Sequence, residues 1–184
     1  FFRFSGIYRS VYLYTVPKVH VQDICVRTLL DDAYQNADLS LKFQMAGEGQ
    51  VSLTLRDGED VVAWKQADAE GEFSVVIPVK GPALWSAEEP NLYELLVEVF
   101  DENGESQEVF AQMVGFRRFE MIDNLMCLNG KRIVFKGVNR HESHPETGHY
   151  VTPEQMEEEV RMMKRANINH VRCSHYPADP YYYY

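Results

Sequence analysis

Apolar and polar residues alternate along four segments in the first hundred positions of the chain. Residues 39–45, 51–55, 73–79 and 93–99 carry an apolar side chain at every second position. In a β-strand, successive side chains point to opposite faces, so each apolar set lies on one face of a half-buried sheet. The pattern predicts four strands that are buried on one side.

Turn-forming residues separate these segments. Residues 46–49 (AGEG) stand between the first two, Asp57 and Gly58 follow the second, and residues 101–104 (DENG) close the fourth. Asn, Asp and Gly suit tight turns because they tolerate positive φ. Short strands with regular turns predict an immunoglobulin-like antiparallel β-sandwich over residues 18–118.

The pattern changes near residue 120. Residues 125–137 predict a hairpin around Asn129 and Gly130, and the apolar run 133–135 predicts a strand buried on both faces. Thr152, Pro153 and Gln155 then predict the start of a helix, because they supply an N-cap, a first-turn proline and a capping box.

A strand at residues 168–172 follows this helix, so the order strand, helix, strand predicts one βαβ unit. One such unit cannot close a barrel or bury both faces of its strands, so we expect the C-terminal third of the chain to be the beginning of a domain whose remainder is absent. At the other end, residues 7–14 (IYRSVYLY) predict a strand, which we assign to the end of an earlier domain.

Composition narrows the function classes. A net charge of −10 over 184 residues argues against a nucleic-acid or anionic-membrane partner. No apolar run reaches the roughly 18 residues of a membrane span. Cys25, Cys127 and Cys173 are odd in number and widely spaced, which favours reduced thiols in a cytoplasmic protein. The chain does not open with Met, so we expect residue 1 to lie inside a longer protein.

The candidate chemistry lies where the two strands of the βαβ unit end. The first ends with Asn139, Arg140 and His141, and the second carries Arg172 and His175. Neighbouring parallel strands are about 4.8 Å apart, so these side chains are expected to converge on one patch. Such a patch can bind hydroxyl groups or orient a carboxylate. The alternative is a polar cluster that only caps the strand ends.

A metal site is the competing interpretation of the loop after the first strand. His141, His144 and His149 lie there with Glu142 and Glu146. Helical zinc motifs need histidines at i and i+4, and Pro145 disfavours helix at His144. We therefore predict no metal centre and a solvated loop at His144 and His149.

Five ordered motifs carry a family resemblance. SGIYRSVYLY, LWSAEEPNLYELLVEV, VGFRRFE, LNGKRIVFKGVNRHESHPETG and HVRCSHYP together resemble the large bacterial β-galactosidases of glycoside hydrolase family 2. The related β-glucuronidases tend to have Lys at the position of Arg140 and Thr at that of Cys173, which favours galactosidase.

The resemblance implies a mainly β architecture of three parts. Residues 1–17 would be the terminal strand of a preceding jelly-roll sugar-binding domain. Residues 18–118 would be the immunoglobulin-like sandwich. Residues 119–184 would begin a TIM-barrel catalytic domain and stop after its second strand.

The resemblance also implies a function for the parent protein. Family enzymes hydrolyse terminal β-D-galactosides such as lactose with retention, through two glutamates whose motifs are absent here, so the chain alone is expected to be inactive. His141 and His175 match the transition-state stabilisers, Arg172 matches an arginine beside the nucleophile, and Asn139 and Arg140 are candidates for substrate support.

Cofactors and partners follow from the same resemblance. The Mg and Na ligands of the family fall outside this chain, so it is expected to bind neither ion. The parent is expected to act on a galactoside as a cytoplasmic homo-oligomer. Two alternatives remain open: a non-catalytic structural spacer of a multidomain glycosidase, and a related β-glucuronidase.

Overall fold

A computed structural model describes residues 5–184 of the chain. Residues 1–4, the first part of the predicted segment 1–17, lie outside the described residues. The chain forms two compact units, one of residues 15–133 and one of residues up to 14 together with 134–184.

The first unit is built on a five-stranded antiparallel sheet. Its strands are β1 (His20–Leu30), β2 (Asn36–Asp57), β3 (Asp60–Lys80), β4 (Tyr93–Asp101) and β5 (Ser106–Val114). The order is β1-β2-β4-β5, and β3 pairs along the length of β2. The first half of β2 pairs with β1 and its second half with β4, so the two long strands β2 and β3 run through both halves of the sheet.

The predicted turn at residues 46–49 is wrong, because β2 continues through it as a bulge. The β2–β3 register shifts between Gln44 and Glu48, and Gly47 has a φ of +75°. At Gly49 an added Cβ would lie 2.0 Å from the carbonyl oxygen of Phe100. Gly47 and Gly49 therefore allow a tight bend within one strand. Such a bend needs positive φ and a close approach of backbones, as a turn does.

The two halves of the curled sheet enclose one core, which confirms the sandwich. Strands β1 and β5 meet at its open side, where the backbone N–H of Val21 donates to Glu108 at 2.9 Å. The buried apolar side chains come from the end of β1, from both halves of β2, from β3 and β4, from the end of β5 and from Phe116 after it. The largest fully buried ones are Phe43, Phe116, Leu39, Leu41, Leu53, Leu55 and Leu95.

A small three-stranded sheet completes this unit. It consists of β6 (Phe119–Ile122), β7 (Leu125–Leu128) and β8 (Lys131–Arg132). The predicted hairpin is confirmed, with Asn129 and Gly130 both at positive φ. The Asn129 side chain donates to the carbonyl of Trp85 at 3.1 Å, which fastens the hairpin to the sandwich.

The second unit contains the predicted βαβ unit. Strands β9 (Gly137–Arg140) and β10 (His170–Cys173) are parallel neighbours, and helix α1 (Pro153–Arg165) connects them. A short helix, α2 (Pro180–Tyr183), follows. Helix α1 starts as predicted, with Thr152 as N-cap and a complete capping box with Gln155.

The predicted strand at residues 133–135 is wrong, since the strand begins at Gly137. Val134 is 58% exposed rather than buried on both faces. The side chain of Asn169 takes the place of a partner strand here: it donates to the Val134 carbonyl at 3.0 Å and accepts from the Lys136 N–H at 2.8 Å.

The predicted strand at residues 7–14 is also not formed. These residues have no hydrogen-bonded partner strand in the described part of the chain, and a strand requires one. Their assignment, as part of residues 1–17, to a preceding jelly-roll domain stays a prediction.

Candidate functional site

The structure brings His141 and His175 together at the carboxyl ends of β9 and β10. The register of the parallel strands β9 and β10 pairs Asn139 with Arg172, so the two strands end side by side. The backbone N–H of Ser174 donates to the carbonyl of Arg140 at 2.8 Å and extends the pairing by one residue. The two imidazole rings meet edge to face, with centroids 5.4 Å apart and planes at 80°.

Four of the five predicted site residues are open to solvent at this strand end. Asn139, His141, Arg172 and His175 are all exposed, so their polar atoms are accessible to a ligand. Their side chains offer amide, imidazole and guanidinium groups within a small area. This set suits a ligand rich in hydroxyl groups, or a carboxylate that one cation orients.

Arg140 is the exception, because it points to the opposite face of β9 from Asn139. It is 5% exposed, and its Nε donates to Glu159 on helix α1 at 2.6 Å. The ring of Tyr182 lies 4.0 Å below its guanidinium. Burial lowers the pKa of Arg140, but the hydrogen bonds to Glu159 and Glu142 outweigh that effect and raise it. Any support that Arg140 gives to a substrate is therefore indirect, through β9.

Glu142 holds the loops of the site together, a role that the sequence reasoning missed. It is 3% exposed, and its carboxylate accepts hydrogen bonds from Arg140 (3.4 Å), Arg9 (3.1 Å) and the backbone N–H of Asp179 (2.7 Å). A carboxylate so occupied is not available as a proton donor or nucleophile. Its one sequence signal is the spacing Arg-x-Glu at the end of a strand, which puts both charges on the same face.

The loop after β9 packs against other parts of its unit at His149, so the expected solvated loop is wrong at this residue. The Nδ1 atom of this half-buried histidine lies 3.0 Å from the Glu142 carbonyl. Its ring packs between Tyr8 and Tyr176, with centroid distances of 5.4 and 6.1 Å. His144 accepts from the backbone N–H of Glu146 at 3.3 Å.

Among residues 5–184 no three His, Cys, Asp or Glu side chains come together as metal ligands. Of the helices in the same range, none has the length and apolar character needed to cross a membrane.

Comparison with known proteins identifies the family. Residues 19–117, more than half of the chain, match the model of glycosyl hydrolases family 2, and residues 119–184 match the TIM barrel domain of the same family. The chain belongs to glycosyl hydrolase family 2. The family boundary at residue 118 precedes the small sheet β6–β8, whereas the compact units divide after residue 133.

Curated relatives match along the whole chain. The chain is 50% identical over 190 residues to a β-galactosidase of Halalkalibacterium halodurans, covering all of the chain and 19% of that protein. It is 42% identical to a β-galactosidase of Clostridium acetobutylicum, covering all of the chain and 21% of that protein. The chain thus spans about a fifth of the length of these relatives.

Solved structures of two β-glucuronidases resemble the fold. The β-glucuronidase 3 of Bacteroides uniformis matches with a TM-score of 0.82 and 28% identity, over 91% of this chain and 21% of that one. A β-glucuronidase of Parabacteroides merdae matches with a TM-score of 0.82 and 25% identity, over 90% and 22%.

Proposed function

We propose that this family 2 chain forms part of a retaining β-galactosidase that hydrolyses terminal β-D-galactosides such as lactose. The observation that carries the proposal is the pairing of His141 and His175 at the ends of two parallel strands in the barrel-domain segment. The β-galactosidase relatives, which match over the whole chain, support galactose as the sugar.

The two histidines would act on the transition state of glycoside cleavage. Positive charge develops at the anomeric carbon as the bond to the leaving group breaks. Imidazole groups that hydrogen-bond the sugar hydroxyls bind this state more strongly than the ground state, and only such differential binding raises the rate. Because their ring centroids lie 5.4 Å apart, both imidazoles are close enough to contact the hydroxyl groups of one sugar.

Arg172 and Asn139 would support the same subsite. A guanidinium beside a carboxylate favours its ionised form, so Arg172 would keep the nucleophile charged and oriented. The amide of Asn139, opposite Arg172 in the register, offers both a donor and an acceptor to a hydroxyl.

We further propose that both catalytic carboxylates come from outside this chain. Retention needs two carboxyl groups about 5–5.5 Å apart. Glu142, directly beside His141, is buried and occupied by three donors, which makes it a structural group. The purified chain should therefore not hydrolyse a chromogenic β-galactoside, and turnover by the chain alone would refute this part.

The direct test of function uses the protein encoded by the complete reading frame. We expect it to release nitrophenol from the β-galactoside, with retention seen by proton NMR of the first sugar formed. The alternative, a β-glucuronidase, is favoured by the structural resemblance to two enzymes of that name. It predicts turnover of the β-glucuronide in place of the β-galactoside.

Substitution tests the histidines in that longer protein. Removing a transition-state hydrogen bond typically costs about 2.7–4 kcal/mol, so His141→Ala and His175→Ala should each lower kcat by about 10²–10³-fold. His144→Ala, in the same loop as His141, is the matched control and should retain activity. A change below about twofold for either of the first two variants would contradict the assigned role.

The sandwich unit fits a second, structural role. Its core is continuous and enclosed by its own strands, which supports the proposal that residues 18–118 act as a spacer between domains. We also propose that the parent β-galactosidase is a cytoplasmic homo-oligomer whose Mg and Na sites lie outside this chain. The free thiols of Cys25, Cys127 and Cys173 are in accord with the cytoplasm. Cell fractionation, light scattering and metal analysis of the longer protein test these points.

A further inference from the structure

Arg9 links the two loops that carry the histidines. Its Nη2 atom donates to Oε1 of Glu142 at 3.1 Å and to the carbonyl of Pro177 at 2.6 Å. Glu142 directly follows His141, and Pro177 lies two residues after His175. One guanidinium from the N-terminal segment therefore bridges the two strand ends of the candidate subsite.

The anchor for this bridge is the buried carboxylate of Glu142, which has several hydrogen-bond donors. Besides Arg9, the buried Glu142 carboxylate accepts from Arg140 and from the backbone N–H of Asp179, which fixes it between β9 and the loop before α2. The carbonyl of the same residue is contacted by the Tyr176 hydroxyl at 3.4 Å. A cation that binds this anchor and the Pro177 carbonyl together fixes the separation of the two loops.

The preceding residue strengthens the link. Tyr8 packs against His149, whose Nδ1 atom contacts the Glu142 carbonyl. Two successive residues of the N-terminal segment thus engage the loop that begins with His141, although more than 130 positions separate them in sequence.

We propose that Arg9 is a positioning residue for the His141–His175 pair. Its guanidinium holds the two loops at the spacing at which both imidazoles face one sugar. The inference rests on the proposed function, because it assigns Arg9 to the same subsite. Arginine suits the task because one Nη2 atom of its planar guanidinium donates both bonds in a fixed geometry, whereas the ammonium of lysine is a point charge on a flexible stem.

The alternative is that Arg9 only fastens the N-terminal segment to the rest of the unit. In that case, removal of its charge would release residues 5–14 but leave the two histidine rings in contact. The ring contact is therefore the measurement that separates positioning from attachment.

The test compares the full 184-residue chain with its Arg9→Gln and Arg9→Lys variants, each labelled with ¹⁵N throughout and with ¹³C in the histidine rings. We expect the nuclear Overhauser effect between the rings of His141 and His175 to be present in the wild-type chain. It should be lost in Arg9→Gln and weakened in Arg9→Lys, while the amide shifts of helix α1 are retained. Arg161→Gln, which removes an exposed arginine of α1, is the matched control and should keep the ring contact.

Each other outcome overturns the positioning role. A ring contact of wild-type strength in a folded Arg9→Gln chain leaves Arg9 as an attachment residue. If Arg9→Gln does not fold, Arg9→Lys decides in the same way. If neither variant folds, Arg9 serves folding and not the pair.

A kinetic measurement then distinguishes this inference from the proposed function. In the protein of the complete reading frame, Arg9→Gln should lower kcat for a β-galactoside by about 10–100-fold, the cost of misplacing groups by about 1 Å, with KM changed much less. Arg9→Lys should recover part of the loss. If that protein hydrolyses no β-galactoside, the proposed function fails, while the ring contact in the 184-residue chain still reports on the positioning role of Arg9.

Discussion

The buried carboxylate of Glu142 gives the sharpest stability prediction. Glu142→Ala removes the acceptor shared by Arg9, Arg140 and the backbone N–H of Asp179. Arg140 keeps its hydrogen bond to Glu159, but its buried positive charge is then balanced by one carboxylate instead of two. The backbone N–H of Asp179 loses its acceptor.

The magnitude follows from the burial of these groups. Breaking a buried ion pair by removal of one partner typically costs about 3–5 kcal/mol, because the remaining charge is left uncompensated. Glu146→Ala is the matched control, since this glutamate lies exposed in the same loop and exposed substitutions change stability by about 0.5 kcal/mol or less.

Hydrogen exchange of helix α1 is the assay, because it reports the stability of this unit separately from that of the sandwich. In Glu142→Ala, the opening free energy of the α1 amides should fall by about 3–5 kcal/mol. If the opening free energy in the wild-type chain is smaller than this loss, the α1 amides of the variant should exchange as fast as unprotected amides. A loss below about 1 kcal/mol, typical of an exposed pair, would refute the reasoning.

Three further predictions concern local structure. Gly49→Ala should lower the free energy of unfolding of the sandwich by about 1–3 kcal/mol in denaturant titrations, because its Cβ would overlap the Phe100 carbonyl. Thr152→Ala should lower the protection of helix α1 in hydrogen exchange by about 1 kcal/mol, because the N-cap is lost. The hydrogen bond from Tyr34 to Glu120 raises the pKa of Tyr34, so this bond stabilises the sandwich fully below the unfolded pKa of about 10 and is lost as pH rises through the raised folded value. Tyr34→Phe should therefore reduce the alkaline loss of stability in thermal melts.

Each of these has a contradicting result. An unchanged denaturation midpoint in Gly49→Ala would mean that β2 and β4 are not in close backbone contact at this point. Equal exchange of α1 in Thr152→Ala would argue against the capping box. An identical pH profile in Tyr34→Phe would mean that the Tyr34 hydroxyl gains nothing from Glu120 in the folded state.

The sequence predicts the strands of the sheet where the apolar side chains of an alternating segment face the core, and not elsewhere. The alternation pattern does not predict the first half of β3, because its apolar residues lie on the outer face: Trp64 is 59% exposed, and Val61 and Val62 are exposed beside it. The sequence predicts a turn where β2 bends, because Gly47 and Gly49 satisfy both conformations equally well.

The candidate site was predictable in its strand-end residues, but not in the contacts that hold them. Parallel strands bring their carboxyl ends together, so His141 and His175 could be expected to meet from their positions alone. The bond between Arg9 and Glu142 joins residues 133 positions apart, and no periodicity or local motif records such a pair.

The most direct test of the central claim is a crystal structure of the protein of the complete reading frame, bound to a galactose-derived transition-state analogue. The account predicts ring nitrogens of both His141 and His175 within about 2.7–3.2 Å of sugar hydroxyls. A sugar bound in the barrel with neither histidine in contact would contradict it.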